Sequence, residues 1–160
     1  MKKIDGFSIS FGIAPRINAC GRMGFAEEAL ELFLTNDYNK ADEIGDALNK
    51  YNIKRQDIEK RIYKEVLEEL QKEDIEKLKA IVVAKENWHH GVIGIVSSKI
   101  TELYYKPSIL LCIEGEEAKG SGRSVEGIDL YKALVSCNKN LNKYGGHEMA
   151  VRINIEKRKI

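Results

Sequence analysis

The residues from about Tyr38 to Gln71 form the longest uninterrupted helical pattern in the 160-residue chain. Apolar residues recur along it at spacings of three and four, and Arg55 interrupts this stripe. At 1.5 Å per residue, a helix of this length spans roughly 50 Å, which is more than a small domain needs. The pattern therefore predicts a connecting helix. A coiled-coil dimer is the alternative, and the narrow, interrupted stripe makes it the weaker one.

After Leu78 the pattern changes to short apolar runs that alternate with helical segments. This alternation indicates a compact α/β domain of strands interleaved with helices. We therefore divide the chain into a helical connector, 1–77, and an α/β domain, 78–160. The predicted strands are Ala80–Ala84, Ser108–Ile113 and Val151–Ile155, and the predicted shorter helices are Phe25–Leu34, Val92–Tyr105 and Ile128–Cys137.

The stretch Lys119–Ser124 combines two glycines, two serines and an arginine. Glycine lets another molecule approach the backbone closely, and the Arg123 guanidinium matches the oxygens of a phosphate. The hydroxyls of Ser121 and Ser124 can add hydrogen bonds. The stretch therefore predicts a phosphate site, with a glycine-rich edge strand and an exposed arginine as the alternative.

Two adjacent histidines, His89 and His90, lie where a predicted strand passes into the N-terminus of a predicted helix. Helix N-termini attract anions, so these side chains are candidates for phosphate contact. The alternative is that one histidine caps the helix while Trp88 lies in the core. Adjacent histidines point in different directions and no carboxylate follows at a matching spacing, so we expect no metal site in this chain.

A second group of glycines, Gly145 and Gly146, precedes His147 and predicts a tight turn. A histidine beside two exposed backbone amides suits a phosphodiester, whereas the alternative is a plain loop. Nearer the N-terminus, Arg16, Asn18 and Arg22 lie among small residues and glycines. This segment is either an anion-contacting loop or a turn with solvated arginines.

Composition places the chain among ordinary globular proteins, with 43% hydrophobic and 32% charged residues. Lys and Arg total 26 against 25 Asp and Glu, so any basic surface must be local. The three cysteines are widely spaced, which argues against a disulfide framework or zinc site and fits a reducing compartment. No apolar run is long enough to span a membrane, and we expect a cytoplasmic protein.

These motifs together resemble the C-terminal part of the RecJ single-stranded-DNA exonucleases, in the DHH phosphoesterase superfamily. The segment 15–23 is similar to the end of that family's catalytic domain, and Tyr38 to about Leu70 is similar to its long linking helix. Residues 88–95, 120–124 and 144–147 resemble three motifs of its DHH-associated substrate-binding domain, which implies a small mixed sheet flanked by helices. The resemblance covers nearly the whole chain.

The resemblance implies single-stranded DNA as the partner. It also implies that Ser121, Arg123 and Ser124 grip a phosphate, that residues 145–147 contact the scissile or adjacent phosphodiester, and that Arg16 or Arg22 reaches in from the connector. The family's metal-holding DHH motif has no counterpart here. Mn²⁺ or Mg²⁺ is therefore expected in a missing catalytic domain, present in cis or as a separate chain, and no catalytic residue is assigned in this one.

The chain also departs from the family pattern after Ala150, where a small residue and a glycine are usual and this chain has Val151 and Arg152. It also stops at Ile160, where further structure is expected, so we expect a fragment without nuclease activity of its own. Two other functions stay open at this point. One is a non-catalytic oligonucleotide- or nucleotide-binding module, and the other is part of a DHH-family phosphodiesterase that acts on short RNA or cyclic dinucleotides.

Overall fold

The computed structural model describes residues 4–160, which fold into helices and one five-stranded sheet. The chain packs as two units, Met1–Asp57 and Ile58–Ile160, and the border between them falls within the longest helix. The sequence placed a domain boundary later, at 77/78, where the helical pattern ends. That boundary stays a prediction about domain organisation.

The first unit is helical. A π-helical turn, Ser8–Ile13, leads into α1 (Ala14–Met23) and α2 (Ala26–Leu34), and α3 (Tyr38–Leu70) begins there. The expected helices at 25–34 and 38–71 are confirmed to within one residue at each end. The buried core of this unit consists of Cys20, Ala29, Ile44 and Leu48.

The structure corrects the loop expected around Arg16, because those residues form α1. Pro15 lies in the first turn of α1, directly after the π-helical turn. Gly24 ends the helix in the left-handed conformation, with φ of 91°. Pro15 therefore lies within helical backbone and Gly24 lies at the end of α1, whereas the sequence interpretation took both residues as signs of a loop.

The second unit alternates strands with helices and packs against one side of the C-terminal part of α3. Its α/β class and its mixed sheet are as predicted. The helices are α4 (His90–Tyr104) and α5 (Leu130–Ser136), and the strands are β1 (Ile81–Glu86), β2 (Ser108–Glu114), β3 (Glu117–Arg123), β4 (Leu141–His147) and β5 (Ala150–Glu156).

The sheet has the strand order β1-β2-β3-β5-β4, with β1 and β2 parallel and the other pairs antiparallel. A parallel pair needs a crossover, and α4 supplies it. The residues 144–147, expected as a tight turn, instead end strand β4, and the turn follows at Glu148 and Met149. The reason is that Gly145 and Gly146 pair with β5 residues, so glycine here serves the ladder.

Each face of the sheet packs against a different helix. On one face, Leu110 and Cys112 join side chains of α3 and α4, including Ile62, Val92 and Val96, in one apolar cluster. On the other face a second cluster combines strand residues with α5, and its members are Leu111, Ala118, Leu130, Leu134, Val151, Ile153 and Ile155. Because strand residues alternate between faces, these two clusters fix the direction of the side chains wherever the strands pair regularly.

Candidate nucleic-acid interface

The face of the sheet that carries α4 is polar where it extends over β5 and β4. Val151 and Ile153 point to the α5 side, so their neighbours on β5 point to the α4 side. Residues that pair across adjacent strands point to the same face of the sheet. The β3 and β4 residues that pair with Arg152 and Asn154 therefore also point to the α4 side. We call this surface the open face; its members are Lys119, Ser121, Arg123, Lys143, Gly145, His147, Arg152 and Asn154.

Arg123 is half-buried at the end of β3, and its own strand orients its guanidinium. Its Nη1 donates to Ser121 Oγ at 3.1 Å and to the Gly122 carbonyl at 2.8 Å. Gly94 of α4 lies against the same pair, because a Cβ at Gly94 would be 2.9 Å from Ser121 Oγ and 3.2 Å from Arg123 Nη2. The predicted partners Ser121 and Arg123 are thus brought together, in a fixed geometry.

A buried hydroxyl network holds the strand end that carries Arg123. Ser108 Oγ lies 2.8 Å from Ser97 Oγ and 2.8 Å from Thr101 Oγ1. Ser108 Oγ also donates to the Ser97 carbonyl at 2.9 Å, and Thr101 Oγ1 donates to the Arg123 carbonyl at 3.5 Å. These bonds join α4 to β2 and β3 next to the candidate site.

The glycines of β3 serve the core, which corrects the expectation that they open the backbone to a ligand. A Cβ at Gly120 would lie 2.5 Å from Ile153 Cγ1 and 2.8 Å from Leu111 Cδ2. A Cβ at Gly122 would lie 2.8 Å from Val151 Cγ2. Both positions face α5 and are filled by neighbouring side chains, so a ligand on the open face meets the side chains between them.

His147 lies in the same cross-strand row as Arg123, with Ala150 of β5 between them. At about 4.8 Å per strand, the two positions are about 10 Å apart. The Met149 N–H donates to His147 Nδ1 at 3.3 Å, which places the proton of the neutral ring on Nε2. The exposed Nε2–H can therefore donate to an anion on the open face.

The two glycines before His147 have different environments. Gly146 has φ of 140°, and a Cβ there would lie 2.1 Å from the Ala150 carbonyl oxygen, so only glycine fits. At Gly145 no atom lies within 4 Å of the added Cβ. Gly145 is therefore the glycine whose backbone a ligand can approach.

The structure separates the roles of the two adjacent histidines. His89 is the N-cap of α4, and its Nδ1 accepts from the Gly91 N–H at 3.1 Å. Trp88 is buried and its Nε1 donates to Glu65 Oε2 at 2.9 Å. The alternative with a capping histidine and a core tryptophan is thus confirmed, and phosphate contact by either histidine stays a prediction.

Glu114 joins His90 to the open face. Its Oε1 lies 2.9 Å from His90 Nδ1, and its Oε2 accepts from Lys119 Nζ at 2.7 Å. The bonds from Lys119 and then His90 lower the pKa of the Glu114 carboxyl to about 2. Burial, followed by the nearby Glu114 charge, raises the pKa of the Cys112 thiol to about 11, so this cysteine stays protonated.

The remaining predicted site residues have other surroundings. Ser124 is buried, and its hydroxyl donates to the Ile128 carbonyl at 2.7 Å, which favours a structural role in the loop. Arg16 donates to Asn49 Oδ1 at 3.2 Å and to the Gly12 carbonyl at 2.5 Å, beside an apolar cavity of about 410 Å³ in the first unit. Asn18 and Arg22 are exposed on α1. Phosphate contact by these residues stays a prediction.

Sequence reasoning missed four residues at this site: Gly94, Lys143, Arg152 and Asn154. The alternation of polar and apolar residues along 150–156 carries the signal for Arg152, because it predicts which side chains share a face. Lys143 follows a β-bulge, which shifts the register and hides the alternation. The contact at Gly94 depends on how α4 packs and has no local signal.

Two properties are absent from the part of the chain that the structure describes. Within residues 4–160, no three histidine, cysteine or carboxylate side chains cluster so that they could hold a metal ion. Within the same range, no helix combines the length and apolar character that crossing a bilayer requires.

Comparison with known proteins identifies the second unit. Residues 76–160 match the model of the DHHA1 domain. The chain belongs to the DHHA1 domain family. The single-stranded-DNA-specific exonuclease RecJ of Bacillus subtilis (strain 168) is 36% identical over 151 residues, which are 93% of this chain and 19% of that enzyme.

Solved structures agree with this assignment of the DHHA1 domain. The crystal structure of RecJ in complex with Mg²⁺ from Thermus thermophilus is 36% identical, with a TM-score of 0.84 over 94% of this chain and 23% of that one. A crystal structure of exonuclease RecJ bound to manganese is also 36% identical, with a TM-score of 0.85 over 96% of this chain and 38% of that one. The chain thus spans well under half the length of the RecJ proteins that it resembles.

Proposed function

We propose that this chain is the nucleic-acid-binding portion of a RecJ-like 5′–3′ single-stranded-DNA exonuclease. Its role is to position DNA phosphates for metal-dependent hydrolysis in a DHH catalytic domain. The observation that carries the proposal is that Ser121, Arg123, Gly145 and His147 share the open face of a DHHA1 domain. The similarity to single-stranded-DNA-specific exonucleases supports DNA as the substrate.

The open face offers a phosphate three kinds of contact. Arg123 presents a guanidinium that its own strand has already oriented, which lowers the entropic cost of binding. His147 presents Nε2–H about two strands away, and Gly145, two residues before His147 on β4, leaves its backbone accessible. Holding a phosphodiester in one place against a nucleophile accelerates its cleavage without any chemistry by these residues.

The chemistry itself belongs to another part of a RecJ-like protein. Residues 4–160 contain no cluster that fits a metal ion, so no step of hydrolysis is assigned to them. Mn²⁺ or Mg²⁺ in a DHH domain would supply the activated water and stabilise charge on the transferring phosphate. We expect the assembled protein to act in the cytoplasm.

The first unit supports the existence of a partner domain. Phe7, Phe11 and Phe33 are about 70% exposed, and Leu30 and Leu34 are exposed as well. Exposed apolar side chains in this number are typical of a surface that another domain covers. We propose that the DHH catalytic domain covers it, in cis or as a separate chain.

The first prediction tests Arg123 as the principal phosphate ligand. A charge-assisted contact contributes roughly 1.5–3 kcal/mol, so Arg123→Ala should weaken binding of short single-stranded DNA about ten- to a hundredfold. Arg123→Lys should restore only part of the affinity, because a point charge replaces a bidentate fork. The loss should be larger for a 5′-phosphorylated oligonucleotide than for its 5′-hydroxyl form.

The measurement is fluorescence anisotropy at fixed ionic strength, with thermal unfolding to confirm that each variant folds. Lys79→Ala is the matched control, because Lys79 is exposed and precedes β1, at the opposite edge of the sheet from β4. Wild-type affinity in Arg123→Ala for both oligonucleotides would refute the proposal. Equal or tighter binding of an RNA oligonucleotide would reassign the substrate to RNA.

A further inference from the structure

Arg152 occupies the centre of the open face. It pairs with Ser121 of β3 on one side and with Gly145 of β4 on the other. Its side chain is exposed, and within residues 4–160 no hydrogen bond or ion pair engages its guanidinium. An arginine that the described fold leaves without a partner, next to a glycine with open space, has both the charge and the room for an anion.

Lys143 is a second cation of this kind on the described surface. It lies on β4 beside Asn154, two residues before Gly145, so it is a diagonal neighbour of Arg152 on the same face. Diagonal neighbours in a sheet are about 7–8 Å apart, within reach of long side chains. Lys143 is exposed, and no other side chain of residues 4–160 bonds to it.

The nearby carboxylates are already satisfied by other groups. The row of the sheet beyond Lys119 and Asn154 contains Glu114, Glu117 and Glu156 on the same face. Glu114 binds Lys119 and His90, Glu117 accepts from Asn154 Nδ2 at 3.1 Å, and Glu156 binds Arg158 and Lys159. Arg152 and Lys143 therefore remain as two like charges on adjacent strands, an arrangement that an anion between them would relieve.

We propose that Arg152 and Lys143 form a second phosphate subsite, which binds a nucleotide next to the one held by Arg123. This subsite rests on the proposed function and deepens it, because it defines which further phosphate the open face engages. A guanidinium and an ammonium without an apolar wall suit a backbone phosphate better than a base or a small organic ligand.

The experiment measures the salt dependence of single-stranded-DNA binding by the 160-residue chain. Each phosphate contact on a single strand contributes about 0.7 to the slope of log K against log salt concentration. Arg152→Gln and Lys143→Gln should each reduce the magnitude of the slope by about 0.7 for an oligomer of about ten nucleotides. Lys79→Gln removes the same charge from the far edge of the sheet and should leave the slope unchanged.

A 5′-phosphorylated mononucleotide separates the two subsites. Because it carries one phosphate, its binding should depend on Arg123 and be insensitive to Arg152→Gln. Slopes of Arg152→Gln and Lys143→Gln equal to wild type, alongside weaker binding by Arg123→Ala, would overturn the second subsite and leave the proposed function intact. Salt-independent binding by the wild-type chain would overturn both.

Discussion

At the scale of single residues, the candidate site is built from side chains that are oriented before a ligand arrives. Arg123 is held by Ser121 and Gly122, and His147 is held by the Met149 amide. Glu114 likewise orients Lys119 and His90, since its carboxylate binds both side chains. Such contacts reduce the side-chain entropy that binding would otherwise cost.

The contribution of the Glu114 ion pairs to the stability of the fold can be tested through its dependence on pH. The folded-state pKa of Glu114 is lowered from 4.5 to about 2, so its ion pairs stabilise the folded state above about pH 4.5 and lose this effect as the pH falls towards 2. Glu114→Gln should therefore lower the free energy of unfolding by about 1 kcal/mol or less near neutral pH, because the site is partly exposed. The difference from wild type should shrink as the pH approaches 2.

Urea denaturation at several pH values measures this difference. Glu126→Gln is the control, because Glu126 is exposed and makes no ion pair with the described residues. A difference between wild type and Glu114→Gln that stays constant from neutral pH down to the folded-state pKa of about 2 would show that the ion pairs do not stabilise the fold.

At the scale of elements, strand β3 divides its two faces between packing and binding. Its glycines lie under Ile153, Leu111 and Val151, whereas Ser121 and Arg123 point to the open face. The absence of side chains at Gly120 and Gly122 leaves room for the apolar side chains that fill this face. The other face then carries the polar groups at fixed positions.

Gly120→Ala should destabilise the chain by about 1–3 kcal/mol, because the new methyl group would overlap Ile153 and Leu111 in a filled core. Gly145→Ala is the matched control, since open space surrounds its Cβ and the change should be within about 0.5 kcal/mol. Chemical denaturation of both variants gives the two values. Equal stability of Gly120→Ala and wild type would mean that the glycine of β3 is not required for packing.

The positions of helices and strands could be predicted from the sequence where the spacing of apolar residues reflects which side chains are buried. Helix α3 and strands β1, β2 and β5 were found to within about two residues, because their apolar spacing reflects the core that covers them. The prediction from sequence was wrong at α1 and β4, because glycines there suggested a loop and a turn. Gly24 in fact caps a helix and Gly146 belongs to a sheet ladder, and only the tertiary structure distinguishes these uses.

At the scale of the whole molecule, the chain corresponds to a minor part of the length of the RecJ proteins that it resembles. Its second unit is a DHHA1 domain with a basic open face, and its first unit exposes several aromatic side chains. The motifs predicted this family from sequence, since several of them occur in the family's order. The open face as a surface could not be predicted, because it depends on the strand order that places β5 between β3 and β4.

The last prediction is that the 160-residue chain has no nuclease activity, with either Mn²⁺ or Mg²⁺ present. Phosphodiester hydrolysis by metal-activated water needs a cluster of ligands, and residues 4–160 have none. The measurement follows degradation of 5′-labelled single-stranded DNA by the purified chain, with Bacillus subtilis RecJ as the positive control. The chain should bind the DNA and leave it intact. Metal-dependent degradation that coelutes with the chain and disappears in Arg123→Ala would contradict the prediction, because a contaminating nuclease would not respond to that substitution.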